Sequence, residues 1–266
     1  MKLTVLTENT ACRADLAAVH GLSLLLETGP HKLLMDVGPG GQFAENAKKL
    51  GVDLSAVDLC VISHGHDDHG GGLDRFLAEN DHAPVYLAEG AFDRHFAGKR
   101  EIGLDTALEN NPRIRLASVL EQLWEEAVLF SRVPGDTLVP AANEGLLDAQ
   151  GPDPFLHEQD LLIREGDRLF LFGGCAHRGI VNILERAKEI AGRYPDVVVS
   201  GLHLAAGGTG VCKADAEYLD RLSRRLLETG AKFYSCHCTG PEALLKLKDR
   251  MGMRLEAIST GMTLEL

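Results

Sequence analysis

The sequence predicts an α/β fold in which two mixed β-sheets pack face to face with helices outside, a four-layer αββα sandwich. Three observations lead there. Short apolar runs pair across turn residues in both halves, around Gly29-Pro30-His31 in the first and Glu165-Gly166-Asp167 in the second. Each half then ends in strand–helix units. No low-complexity segment, short-period repeat or linker interrupts the pattern, so residues 1–266 read as a single domain.

The elements follow in order. Residues 3–7 read as a first strand, and 22–28 with 32–37 as a hairpin. Phe43, Ala44, Ala47 and Leu50 recur at helical spacing, with Gly51 as C-cap. Residues 57–63 form an apolar run, as expected of a strand buried on both faces, and it stops abruptly at His64. The stretch 91–154 is the least regular. Residues 85–87 and 127–130 read as short strands, and 134–154 as a flexible loop or lid rich in proline and glycine. Residues 160–164 and 168–172 form the second hairpin. A helix over 180–191 places Ile183, Leu184, Ala187 and Ile190 on one face. A strand over 196–200, a helix over 214–228 followed by Gly230, and a strand over 232–235 come next. A helix over 241–251 with Pro241 in its first turn and strands over 255–258 and 262–264 complete the chain.

Composition narrows the function. The chain has 266 residues, 45% hydrophobic and 25% charged, which is ordinary globular composition. Its net charge of −12 argues against a polyphosphate backbone as partner, so no nucleic acid is expected. No apolar run approaches the roughly 18 residues that cross a bilayer, and residues 1–8 lack a signal-peptide pattern. A cytoplasmic protein with a small-molecule substrate and no membrane partner is expected. Cys12, Cys60, Cys175, Cys212, Cys236 and Cys238 are then thiols. The oligomeric state is not legible.

The strongest motif is Ser63-His64-Gly65-His66-Asp67-Asp68-His69-Gly70-Gly71-Gly72. Three histidines and two aspartates fall within six residues directly after a buried strand. His64 and His66, two apart in an extended turn, aim both imidazoles at one ion; Asp68 and His69 on the next turn serve a second. Imidazole nitrogen and carboxylate oxygen suit zinc, iron or manganese. The glycines let the chain turn tightly and allow a helix to start beside the site. A solvated polar loop would not concentrate histidines in this way.

The segment resembles the His-x-His-x-Asp-His signature of the metallo-β-lactamase superfamily, whose αββα sandwich matches the architecture read above. A closer resemblance covers nearly the whole chain: Glu8-Asn9, His20-Gly21-Leu22-Ser23, Asp36-Val37-Gly38, residues 59–72, 174–182, His203-Leu204 and residues 236–240. It is similar to the branch named after 7,8-dihydropterin-6-methyl-4-(β-D-ribofuranosyl)-aminobenzene-5′-phosphate synthase. The resemblance implies a metal-dependent hydrolase or transferase on a small phosphate-bearing substrate. In the reaction behind the branch name, a pterin diphosphate loses diphosphate to an arene carbon. It also implies one or two divalent ions, zinc foremost, with iron, manganese or magnesium as alternatives.

Within that resemblance the metal ligands are His64, His66, Asp68, His69, His177, His237 and Cys175. Asp68 also orients the nucleophile. His177 and His237 end apolar strands; the alternatives are a capping or surface histidine and a core histidine. Cys236 and Cys238 flank His237 and, by strand alternation, point away from it as buried thiols. Cys175 holds the place where many superfamily members carry an aspartate that bridges two metals, so it either binds metal as a thiolate or is simply packed. His203 is a ligand or a proton donor. His157 is the nearest match to the usual histidine loop before the strand of residues 169–172. His20 lines the pocket or is an ordinary hydrogen-bonded histidine. Residues 206–210 with Lys213 form either an anion cradle or a plain loop, and Lys99-Arg100 is a further cationic pair. The rival reading is a non-catalytic metal-binding or sensing protein on the same fold. Oxidative chemistry at an iron pair is a third, without a flavin-binding domain in these residues, and a nuclease is disfavoured by charge.

Overall fold

Every strong apolar period forms the element it predicts in a computed structural model, which describes residues 1–207 and 210–266. The chain divides into two compact units. One comprises residues 1–118, 146–159 and 258–266, the other residues 119–145 and 160–257.

The first unit is built on a seven-stranded mixed sheet. Its order is Thr263–Glu265, Lys2–Thr7, Ser23–Thr28, His31–Met35, Leu59–Val61, Val85–Ala88 and Ile114–Ala117. The expected hairpin pairs Leu24 with Met35 and Thr28 with His31. From His31–Met35 onward the pairing is parallel, which explains why Leu59–Val61 is apolar at every position and wholly buried. Helix Gln42–Leu50 ends on Gly51 in the left-handed conformation, φ 71°. Its Phe43, with Phe76 of helix Leu73–Glu79, packs on Leu34, Cys60 and Val85; each such fully buried side chain contributes about 1.5–3 kcal/mol. The strand before the histidine motif is shorter than expected. Ser63 leaves the ladder because its N–H donates to the Asp36 carboxylate at 2.7 Å.

The second unit carries another seven-stranded mixed sheet. Its order is Leu255–Ala257, Lys232–Ser235, Val197–Ser200, Arg168–Phe172, Gln159–Glu165, Ala127–Ser131 and Leu120–Trp124. The four strands from Arg168–Phe172 to Leu255–Ala257 are parallel, with helices Ile180–Ala191, Ala216–Glu228 and Pro241–Met251. Leu171, Val198 and Phe233 pack with Ile183, Leu184, Leu222, Leu226 and Leu247. In both units the parallel strands end in irregular loops, the place where open α/β sheets carry their ligands. Residues 36 and 62–69 follow such ends in the first unit, and 173–177, 201–204 and 236–239 in the second.

The segment 134–154 departs from the expected flexible loop. Residues Ala141–Asn143 form a 3-10 turn, and Leu146–Leu147 pairs with Phe96–Ala97 in a three-stranded sheet. Asn182 fastens its start, accepting from Thr137 N–H at 3.1 Å and donating to Thr137 O at 3.0 Å.

Candidate functional site

In the first unit Asp36 organises the motif. Its carboxylate is fully buried and accepts from Ser63 N–H at 2.7 Å, Ser63 Oγ–H at 2.8 Å and His69 Nδ1 at 2.6 Å. Asp36 itself sits at φ 60°, a left-handed conformation that a β-carbon disfavours. Ser63 Oγ also meets His64 Nδ1 at 2.9 Å. The rings of His64, His66 and His69 cluster, with centroids 4.6 Å apart for His64–His66 and 4.1 Å for His64–His69. Asp68, in the short helix Asp67–Gly70, is part-exposed, and its Oδ2 lies 3.3 Å from His20 Nε2. His20 Nδ1 in turn lies 3.3 Å from Asn9 Nδ2.

Beside these lies a second buried group that the motif alone does not reveal: His95, Asp153 and His157. Asp153 Oδ2 meets His95 Nδ1 at 2.9 Å and His157 Nε2 at 3.1 Å. Burial pushes the Asp153 carboxyl up, but the hydrogen bonds from His157 and His95 outweigh it and hold the group well below the usual carboxylate range. Burial works against a charged His95, yet Asp153 and the Gly90 carbonyl raise it above an ordinary histidine. Burial, with the neighbouring His95 charge, lowers His157 despite Asp153. Burial again, with His157, lowers His66 strongly. His157 also makes a hydrogen bond back to the motif: its Nδ1 accepts from Gly65 N–H at 2.9 Å.

In the second unit Cys175, His177 and His203 are all buried, and one donor atom from each lies within 4.8 Å of the others. The rings of His177 and His203 are 4.1 Å apart. Asn143 fixes His177: its Oδ1 takes the Nδ1 proton at 2.9 Å while its Nδ2–H donates to His177 O at 2.8 Å. Three non-glycine residues here adopt positive φ: Ala176 at 57°, His203 at 46° and His237 at 48°. Such strain, about 1–3 kcal/mol per residue, persists where the surroundings over-determine the backbone. His237 opens a 3-10 turn, His237–Thr239, so the strand alternation expected for Cys236 and Cys238 does not extend past Ser235. Cys238 Sγ instead accepts from His203 N–H at 3.3 Å and contacts Cys175 O at 3.6 Å. Burial alone would raise its thiol, but Cys175 and the His203 and His237 imidazoles lower it well below the ordinary value. Cys236 and Cys238 are both buried free thiols, as read from the sequence.

The donor chemistry suits a divalent ion. Nδ1 of His64, His69 and His177 each meets an oxygen, the pattern of imidazoles that present the opposite nitrogen to a metal. Both ring nitrogens of His203 are buried without a hydrogen bond among the described residues. Lys213 is exposed, its N–H donates to Leu204 O at 2.8 Å, and it lines a small cavity of about 100 Å³ with Tyr218, Asp215 and Leu204. The proposed anion cradle includes Gly208 and Thr209, which lie outside the described residues. Arg100 pairs with Asp67 at 2.5 Å. Sequence reasoning passed over Asp36, Asn143, His95 and Asp153 as functional residues. Only Asp36 left a signal, an acid directly after an apolar strand.

Comparison with known proteins agrees with this chemistry. Residues 17–187, more than half of the chain, match the family model described as metallo-beta-lactamase superfamily. The chain is 27% identical over 255 residues to an uncharacterized protein of Methanocaldococcus jannaschii, covering 92% of this chain and 93% of that one. It is 26% identical over 254 residues to the 7,8-dihydropterin-6-methyl-4-(beta-D-ribofuranosyl)-aminobenzene-5'-phosphate synthase of the same organism, with 84% and 82% covered. Among solved structures, Tm1679, described as a metal-dependent hydrolase of the beta-lactamase superfamily, is similar with a TM-score of 0.85 and 28% identity over 100% of this chain and 99% of that one.

Proposed function

The chain belongs to the metallo-beta-lactamase superfamily, and from that premise we propose that it is a metal-dependent hydrolase or transferase acting on a small, phosphate-bearing substrate. The observation that carries this reading is the set of strand-end imidazoles, each oriented by an oxygen acceptor on its inner nitrogen. The ligands proposed are His64, His66, Asp68 and His69 in the first unit and Cys175, His177 and His237 in the second. Zinc, as one ion or two, suits nitrogen, oxygen and sulfur donors together. The phosphate-bearing class is supported by the relative whose name carries a 5'-phosphate. A net charge of −12 favours a small substrate over nucleic acid.

When bound, a divalent ion polarises a phosphoryl or carbonyl oxygen and lowers the pKa of the water it holds towards about 7. The residues do the rest. Asp68 orients the nucleophile and takes up its proton, with His20 at 3.3 Å as the next acceptor towards solvent. His203, held in place by its strained backbone and by Cys238 on its N–H, donates a proton to the leaving oxygen. Lys213 meets the substrate's negative charge from an exposed position.

The test is Asp68→Ala, assayed with zinc, manganese or iron on phosphomonoester and phosphodiester substrates. Turnover is expected to fall at least about 100-fold, as for loss of a general base, with circular dichroism unchanged. Unchanged turnover overturns the assignment. Tight metal binding by the unaltered chain with no turnover on any substrate class favours the sensing reading instead.

A further inference from the structure

Gly65 lies between the two histidines that open the motif, and it has no side chain with which to be packed. A β-carbon there would run into the backbone of Ala91, so the position must be glycine, the residue with the least intrinsic backbone preference. Something else has to hold it. Its N–H donates to His157 Nδ1 at 2.9 Å. An imidazole that accepts on Nδ1 carries its proton on Nε2, and His157 Nε2 donates to Asp153 Oδ2 at 3.1 Å. The same oxygen takes the proton of His95 Nδ1 at 2.9 Å, and Asp153 Oδ1 accepts from Phe155 N–H at 2.7 Å. His95 Nε2 donates to Gly90 O at 3.1 Å. His95 therefore donates on both sides and carries both protons, with Asp153 as its counter-charge. All three side chains are buried. Nearby, Gln159 holds the residues that precede the first histidine: its N–H donates to Ser63 O and its Nε2 to Ile62 O, both at 2.8 Å.

Donor atoms of His66, His95, Asp153 and His157 lie within 4.8 Å of one another, so this group also has the composition of a metal site. The hydrogen-bond directions argue otherwise. A metal on His157 Nε2 needs that nitrogen's lone pair, which the Gly65 N–H on the opposite nitrogen has displaced with a proton.

We infer that His95, Asp153 and His157 are positioning residues, a buried ion-paired brace that sets the Gly65 peptide and through it the directions in which His64 and His66 present their imidazoles. The inference rests on the proposed metal-binding role of His64 and His66. The test uses the full chain with Co(II) and Zn(II) alone as probes. Affinity is measured by chelator competition, stoichiometry by elemental analysis and geometry by the visible Co(II) spectrum. His157→Ala and Asp153→Asn are expected to keep the stoichiometry of the unaltered chain, weaken affinity about 10–100-fold and shift the Co(II) bands. His157→Gln is expected to recover most of the affinity, since an amide can accept from Gly65 and donate to Asp153. If His157→Ala fails to fold, Asp153→Asn and His157→Gln carry the comparison. Unchanged affinity and spectrum in the folded variants overturn the inference. So does the loss of one metal equivalent in His95→Gln, which would make the group itself a site. An unaltered chain that binds neither ion overturns the metal reading first and the brace with it.

Discussion

At the scale of single residues, Asp36 concentrates the most consequence in one side chain. It satisfies three buried donors at once, two on Ser63 and one on His69, and does so from a left-handed backbone conformation that glycine adopts most freely. Removing the carboxylate leaves those donors without their acceptor, at about 1–3 kcal/mol each where water cannot replace it. Urea unfolding of Asp36→Ala is therefore expected to show a loss of about 3 kcal/mol or more. Asp36→Gly should lose less, because glycine tolerates φ 60°. Equal losses would remove backbone strain from the account. Three left-handed residues beside the second unit's histidines, Ala176, His203 and His237, were equally invisible in sequence. Nothing in an alanine or histidine announces positive φ.

At the scale of elements, the helices over 180–191 and 241–251 and the strand over 232–235 stand where periodicity and the proline at a first turn place them. The histidine motif was legible because its residues are contiguous. The supports were not. Asn143 reaches His177 from 34 residues away and His157 reaches Gly65 from 92, and no local pattern encodes such pairings. Strands Ile114–Ala117 and Leu120–Trp124 went unread because their exposed edges mix polar with apolar positions. One tie between elements is testable by pH. Tyr218 of helix Ala216–Glu228 donates to Leu138 O at 2.6 Å, and burial pushes its phenol up to about 12. The folded state thus holds a proton that the unfolded chain releases near pH 10. Its contribution is complete below pH 10 and is lost as pH rises from there to about 12. Tyr218→Phe is expected to cost about 1 kcal/mol at neutral pH and to flatten the decline in stability over that alkaline window. A decline of the same slope in the variant would refute the assignment.

At the scale of the whole molecule, metal binding and stability are linked. An ion bound only by the folded chain adds about 2.7 kcal/mol when free metal exceeds its dissociation constant 100-fold. Chelator-treated protein should melt lower, and Tm should rise with added zinc concentration; a Tm indifferent to metal would separate the histidine clusters from folding. The units themselves are interleaved along the chain, residues 146–159 returning to the first after 119–145 have entered the second. That interleaving has a temporal side. A ribosome adds roughly 5–20 residues per second, and His157 follows Gly65 by 92 positions. For roughly 5–18 s of each molecule's synthesis, His64 and His66 therefore exist on a nascent chain whose brace has not yet been translated. On the proposed reading, metal offered in that interval would meet two imidazoles without their brace, and the timing of metal delivery relative to translation would then bear on how the site is filled.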